Sequence, residues 1–304
     1  MKAAYINQTG PAETIIYGDL PRPEPSGSQV LVRVAAVAVN PVDTYIRAGA
    51  IAMPLPKPFI VGCDLAGTVE AVGPQAKRFK PGDRVWGSNQ GLLGRQGTFA
   101  EYAAVDEEFL YPVPAGVGFE TAAAVALVGI TAHLGLVRDA KLQAGETLFV
   151  NGGSGGVGSM VVQMGKAIGA RVVTTAGSDA KVALCRELDA DLAINYRTAN
   201  VDAEIKTFAP DGVNVFWETL REPDFEGAIA LLAMRGRMIV MAGRDARPPF
   251  PVGPFYVKDC SLHGFAMFNA SAAPTPTGSP PPSPSSVEAF FSSVFLASDP
   301  LNPA

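Results

Sequence analysis

The sequence predicts an α/β protein of two domains, a small β-rich one followed by a parallel sheet covered by helices on both faces. Three observations predict it. The first third is rich in Val and broken by Pro and Gly. Beyond about residue 125, strand-like and helix-like segments alternate, which is the pattern of a parallel sheet. A run of glycines joins one of those strands to the helix that follows it.

In chain order, QVLVRVAAVAV (29–39), DLAGTVEAV (64–72) and DRVWG (83–87) read as strands, and turns such as KPGDR (80–84) suit the short loops of a small barrel. The second half runs TLFVNG, SMVVQMGKAIG, ARVVTTAG, DAKVALCREL, LAINY, VNVFWET, a helical stretch at 224–234, and RMIVMAG. Buried strands alternating with helices of about ten residues imply strands covered on both faces. The expected boundaries are 1–124, 125–268 and a tail over 269–304. Within that tail SAAPTPTGSPPPSPSS (271–286) lacks both amide donors and apolar periodicity, and it is expected to be extended or disordered.

Composition narrows the function. Of 304 residues, 48% are hydrophobic and 17% charged, a globular balance. A net charge of -5 offers no basic field for phosphate backbones and argues against nucleic acid as partner. No uninterrupted apolar run reaches the roughly 18 residues of a membrane span, and MKAAYINQTG lacks the layout of a signal peptide. Cys63, Cys185 and Cys260 are odd in number and widely spread, which favours free thiols in a reducing, cytoplasmic compartment.

The glycine run carries the chemistry. Gly153, Ser154, Gly155, Gly156, Val157 and Gly158 match G-x-G-x-x-G between a strand and a helix. Missing side chains let the backbone approach a pyrophosphate, and the N–H groups opening the helix attract it. An acid at the end of the next strand would take the ribose hydroxyl of NAD; here that end is Thr175, Ala176, Gly177 and Ser178, with no carboxylate before Asp179. An uncharged strand end leaves room for a 2'-phosphate. Ser178 supplies a hydroxyl, Lys181 a point charge and Tyr196 a phenol, so NADPH is favoured over NADH. Taken singly, Lys181 reads equally well as a solvated helix charge and Tyr196 as a half-buried strand aromatic.

The stretches VNPVDTYIRAG (39–49), VGCDLAGTVEAVG (61–73), FKPGDRVWG (79–87), GTFAEYAAV (97–105), GITAHLGL (129–136) and VNGGSGGVGSM (150–160) carry a further message. In this order they resemble the zinc-independent quinone oxidoreductase branch, zeta-crystallin-like, of the medium-chain dehydrogenase/reductase superfamily. The resemblance implies a GroES-like barrel, a Rossmann domain and a cleft between them. By position it implies that Asn40 and Tyr45 lie beside the nicotinamide and that Thr131 lies at the cleft floor. It further implies that residues 154–157 hold the pyrophosphate, that Gly177, Lys181 and Tyr196 meet the adenosine 2'-phosphate end, and that Gly243 with Gly264, Phe265 and Ala266 flanks the nicotinamide. A homodimer through the edge strand at 259–268 is also implied. Relatives continue beyond this strand with a return to the barrel domain; the tail departs from that pattern, as a shifted reading frame would make it do.

Metal is not expected. Zinc-dependent relatives place cysteine where this chain has Asn40 and histidine where it has Cys63, and a catalytic zinc needs about three protein ligands. His133 and His263 read as packed residues, and Cys63 as a buried thiol. Without a Lewis acid, reduction of an electron-poor acceptor is the easier chemistry, since a quinone or conjugated carbonyl delocalises the incoming charge. Tyr45 then serves either as a donor to the developing oxyanion or as a surface for the cofactor, and Asn40 orients a carboxamide or the acceptor. Two alternatives stand beside quinone reduction: reduction of enones or enoyl groups, and dinucleotide binding with little or no turnover.

Overall fold

The structure, a computed structural model, describes residues 1–269; the Pro/Ser-rich tail expected to be extended or disordered lies outside the described residues. The chain divides into two units, Met1–Leu127 and Val128–Asn269.

The first unit is built from antiparallel strands. β1 (Lys2–Ile6) pairs with β2 (Ile16–Asp19) and with β4 (Phe59–Ile60). A five-stranded sheet takes β3 (Gln29–Ala36), β5 (Leu65–Val72), β6 (Arg84–Gly87), β7 (Tyr102–Asp106) and β8 (Leu110–Pro112) in the order β7-β3-β5-β6-β8. Alternate residues of these strands, among them Val30, Val32, Leu65, Val69 and Val85, form one buried cluster. Each such side chain contributes about 1.5–3 kcal/mol on burial. Between β3 and β4 lies a short helix, α1 (Pro41–Arg47), which the strand pattern did not predict. Its start is marked by Asn40 followed by proline at the first helical position, where the missing N–H costs no bond.

Helix α2 (Phe119–His133) is continued by a π-helical turn over Leu134–Asp139. The stretch Phe119–Asp139 is long and apolar enough to cross a membrane, with mean hydropathy 1.6, although polar residues such as Thr131 and His133 interrupt it. Its most apolar window is 56% buried inside the fold, which is the situation of a core helix.

The second unit is a six-stranded sheet of order β11-β10-β9-β12-β13-β14, parallel throughout. The chain passes through β9 (Thr147–Val150), α3 (Gly156–Ile168), β10 (Arg171–Ala176), α4 (Asp179–Glu187), β11 (Leu192–Asn195), α5 (Val201–Phe208) and β12 (Val213–Glu218). It then forms α6 (Phe225–Leu231), β13 (Leu232–Val240), α7 (Val252–Val257) and β14 (Ser261–Gly264). β9 is buried at all four positions, as a strand covered on both faces must be. α3 presents Met160, Val161 and Met164 to the interior and stops at Gly169, a left-handed residue that ends a helix without steric cost.

The helix expected at 224–234 is shorter. It ends at Leu231, and the chain turns extended at Leu232, where β13 pairs with β12 across a register shift. The apolar pattern runs through both elements, which is why sequence overran the boundary.

Candidate functional site

Because the six strands are parallel, their carboxyl ends share one edge, and the predicted dinucleotide residues other than Tyr45 collect there. The turn after β9 carries Gly153, Ser154, Gly155, Gly156, Val157 and Gly158 into α3, with Gly155 as the capping residue. The first bond into this helix is from the Ser159 N–H to the Gly155 carbonyl at 2.8 Å. The amides of Gly156, Val157 and Gly158 precede it, so they are the donors that a helix start leaves for an anion. A Cβ at Gly153 would overlap the Thr174 hydroxyl, and one at Gly158 would overlap the Gly152 carbonyl. Glycine at these two positions lets the turn pack closely on β10 and on its own backbone, which a side chain would prevent.

The residues expected at the adenosine end follow β10 and β11. Gly177 and Ser178 are half-buried, whereas Lys181 and Tyr196 are exposed. Ser178 caps α4, its Oγ accepting the Lys181 N–H at 3.4 Å, which leaves the hydroxyl hydrogen for another acceptor. A Cβ at Gly177 would stand 2.5 Å from the Tyr196 hydroxyl, so glycine lets the phenol lie across the strand end. Asp179 heads α4, and its carboxylate accepts the Asn195 amide at 2.7 Å. That partner of Asp179 was not legible in the sequence.

Gly243 follows β13 with φ 84, and Gly264 ends β14 on the same edge, with Phe265 and Ala266 directly after it. Phe265 meets Trp217 edge to face at 6.4 Å and takes the Arg138 guanidinium over its ring at 5.4 Å. Thr131 and His133 are buried in the second half of α2, and burial lowers the His133 pKa to about 4, so its ring is neutral at pH 7.

Asn40 and Tyr45 belong to the first unit. Asn40 is buried at the start of α1; its backbone N–H donates to Asp43 Oδ2 at 2.7 Å and its Nδ2 to Asp64 Oδ2 at 2.7 Å. Asp64 Oδ2 also accepts the Leu127 N–H at 3.3 Å. Asp64 is fully buried; burial raises its carboxyl to about 7, the Asn40 amide offsetting part of the cost. Cys63 is equally buried, and burial with the nearby Asp43 carboxyl pushes its thiol up, away from a reactive thiolate. Tyr45 is half-buried on α1.

The donor set at this cluster suits hydrogen bonding. Among the described residues no three His, Cys, Asp or Glu side chains are grouped to hold a metal ion, and Asn40 commits its nitrogen to Asp64. At the sheet edge, by contrast, the bare turn and the amides opening α3 fit a dinucleotide pyrophosphate.

Sequence reasoning missed one set of residues behind the turn. Asn151, Thr175 and Glu218 stand side by side across β9, β10 and β12 and are joined by hydrogen bonds. A run of polar residues at three adjacent strand ends was the available signal.

Comparison with known proteins agrees with this arrangement. The alcohol dehydrogenase GroES-like domain family matches residues 26–115, and the zinc-binding dehydrogenase family matches residues 156–277. Fold and turn together define a two-domain medium-chain dehydrogenase/reductase that binds a nicotinamide dinucleotide. Human (Homo sapiens) quinone oxidoreductase is 33% identical over 273 residues, covering 89% of this chain and 82% of the relative. The chain belongs to the zeta-crystallin-like quinone oxidoreductase family. An NADPH-dependent alkenal/one oxidoreductase of Arabidopsis thaliana is 35% identical over 257 residues, covering 82% of this chain and 64% of that protein. A mycobacterial protein solved in complex with NADPH superposes with TM-score 0.78 at 27% identity, covering 98% of this chain and 88% of that one.

Proposed function

We propose that this protein reduces quinones with NADPH by hydride transfer and without a metal ion. The carrying observation is the end of β10, where no carboxylate stands free. Asp179 is tied to Asn195, while Ser178, Lys181 and Tyr196 offer a hydroxyl, a cation and a phenol to a 2'-phosphate.

The cofactor, when bound, supplies the hydride. The chain's own residues bind and orient. Amides of the turn and of the start of α3 take the pyrophosphate. Gly243 and the segment Gly264, Phe265, Ala266 border the nicotinamide side, as the family resemblance suggests. Asn40, its nitrogen held by Asp64, offers its carboxamide oxygen to orient the nicotinamide amide or the acceptor. Tyr45 lines the cofactor and offers its hydroxyl to the developing oxyanion, and Thr131 completes the set.

A second reading, reduction of a conjugated enone or alkenal, uses the same hydride chemistry. It is favoured by the likeness to the Arabidopsis alkenal/one oxidoreductase, of which the chain spans less than two thirds. NADPH oxidation followed with quinones, enones and enoyl thioesters in parallel separates the two. Turnover confined to quinones supports the first reading, and turnover confined to enones replaces it.

The same reading includes domains near 1–124 and 125–268, a cytoplasmic location and a homodimer. The dimer is supported by β14 at the open edge of the sheet and by exposed apolar side chains at Met234 (62% exposed), Tyr256 (65%) and Val257 (65%) in neighbouring elements. Sedimentation at micromolar concentration tests it, with a monomer as the opposing result.

A further inference from the structure

The glycine turn does not hold its own shape. Gly152, its first glycine, has φ 86 and donates its N–H to Thr175 Oγ1 at 3.0 Å, and the Gly153 N–H donates to the Thr175 carbonyl at 3.1 Å. The Thr175 hydroxyl in turn donates to Asn151 Oδ1 at 3.0 Å. Asn151 Nδ2 donates to Glu218 Oε1 at 3.1 Å and Oε2 at 3.3 Å, and the Leu220 N–H also donates to Oε1 at 2.8 Å. The Thr219 hydroxyl closes the set by donating to the Asn151 carbonyl.

The side-chain relay runs one way, from the Gly152 amide through the Thr175 hydroxyl and the Asn151 amide to the Glu218 carboxyl. Glu218 Oε1 accepts from both Asn151 Nδ2 and the Leu220 N–H, so the carboxyl dictates which end of the Asn151 amide faces it. That choice turns Oδ1 toward Thr175, fixes the direction of the Thr175 hydroxyl hydrogen, and leaves an aligned lone pair for the Gly152 N–H. Glu218 is 1% exposed on β12, and the groups that bond it are neutral amides. Burying a carboxyl among amides is costly, and a satisfied network of this kind gives geometry in return.

We propose that Glu218 is a positioning residue of the dinucleotide site, presetting the phosphate-binding turn through Asn151 and Thr175. The inference rests on the NADPH reading above and adds a residue to it. Glu218 itself touches no cofactor. Its removal weakens pyrophosphate binding by loosening the turn, while the adenosine end, built from α4 and β11, is left in place.

Fluorescence and calorimetric titrations of the full chain with NADPH and with 2'-AMP, which has the 2'-phosphate and no pyrophosphate, test this. Glu218→Ala is expected to raise the NADPH dissociation constant about tenfold and the 2'-AMP constant by less than about twofold. Glu218→Gln keeps an acceptor oxygen for Asn151 and Leu220, and it is expected to restore NADPH affinity to within about threefold. Thr175→Val removes the Gly152 acceptor without changing side-chain size, and it should repeat the selective loss even if Glu218→Ala does not fold. Equal weakening of NADPH and 2'-AMP, or no weakening in either the Ala or the Val variant, overturns the proposal. Failure of the unmodified chain to bind NADPH overturns the underlying reading, and this inference falls with it; normal binding without the selective loss overturns this inference alone.

Discussion

Asn40 gives its carboxamide hydrogen to Asp64 at 2.7 Å in the interior of the first unit, so a helix-starting residue and an acid 24 positions away are locked together. The acid bears the cost. Its pKa is raised from 3.8 to about 7, so between those values the folded state holds a proton that the unfolded state has lost. Asp64 therefore lowers stability as pH rises from 3.8 toward 7. His133 acts in the opposite sense, because its pKa is lowered from 6.5 to about 4 and the unfolded state binds the extra proton. Stability is lost through His133 as pH falls across that window. The two slopes offset each other in the unmodified chain. Urea unfolding is expected to separate them: Asp64→Asn exposes the His133 slope, with stability falling from pH 6.5 to 4, and His133→Asn exposes the rise on acidification below 7. Each difference from the parent curve should amount to a few kcal/mol on the order of magnitude. Parallel curves for all three proteins would contradict both assignments.

In the proposed function, nicotinamide selectivity depends on where Asp179 points. Asn195 holds its carboxylate at 2.7 Å. Asn195→Ala releases that charge next to Ser178, and the preference for NADPH over NADH is expected to fall about three- to tenfold in paired titrations. Lys181→Ala should reduce the same ratio by removing the attracting charge. A ratio unchanged in both variants would remove these residues from the 2'-phosphate site.

Within the turn, the glycines differ in what they tolerate. A methyl group at Gly158 would run into the Gly152 carbonyl, a backbone atom that cannot swing away, whereas at Gly156 the nearest neighbour is Val128 Cγ1 at 3.4 Å. Gly158→Ala is expected to cost about 2–4 kcal/mol of stability by chemical unfolding, and Gly156→Ala less than about 1 kcal/mol. Equal effects would mean that the turn has another shape.

How much of this was legible beforehand follows from the range of each interaction. The glycine turn and the alternation around it are local patterns, and the chain from Leu148 to Gly158 carries them within one turn and one strand end. Asn40 stood out by position, but its bond to Asp64 did not, nor did the Glu218 to Asn151 bond across 67 positions. Such bonds are fixed by sheet register, which a single sequence does not display. Helix α1 was within reach, since Asn40 and Pro41 are a helix-start pair, yet the surrounding Val-rich strands dominated the reading. The end of α6 was not, because Leu231 and Leu232 continue one apolar pattern into two different elements.

Lys258 supplies a contrast between a half-buried and an exposed cation. Its ammonium donates to the carbonyls of Ile229 at 2.9 Å, Ala230 at 3.0 Å and Leu232 at 2.8 Å, closing the carboxyl end of α6. Lys258→Met keeps the stem and removes the donors, and it is expected to cost about 1–3 kcal/mol. Lys2→Met breaks only the exposed pair with Asp19 and should leave the unfolding midpoint unchanged. The reverse order would show that surface pairing outweighs this helix end.

The most direct test of the central claim is a fluorescence titration of the purified 304-residue chain with NADPH and, in parallel, NADH. Saturable binding with NADPH preferred by about tenfold, or about 1.4 kcal/mol, is the expected result. A folded chain that binds neither nucleotide, or binds NADH more tightly, would contradict it.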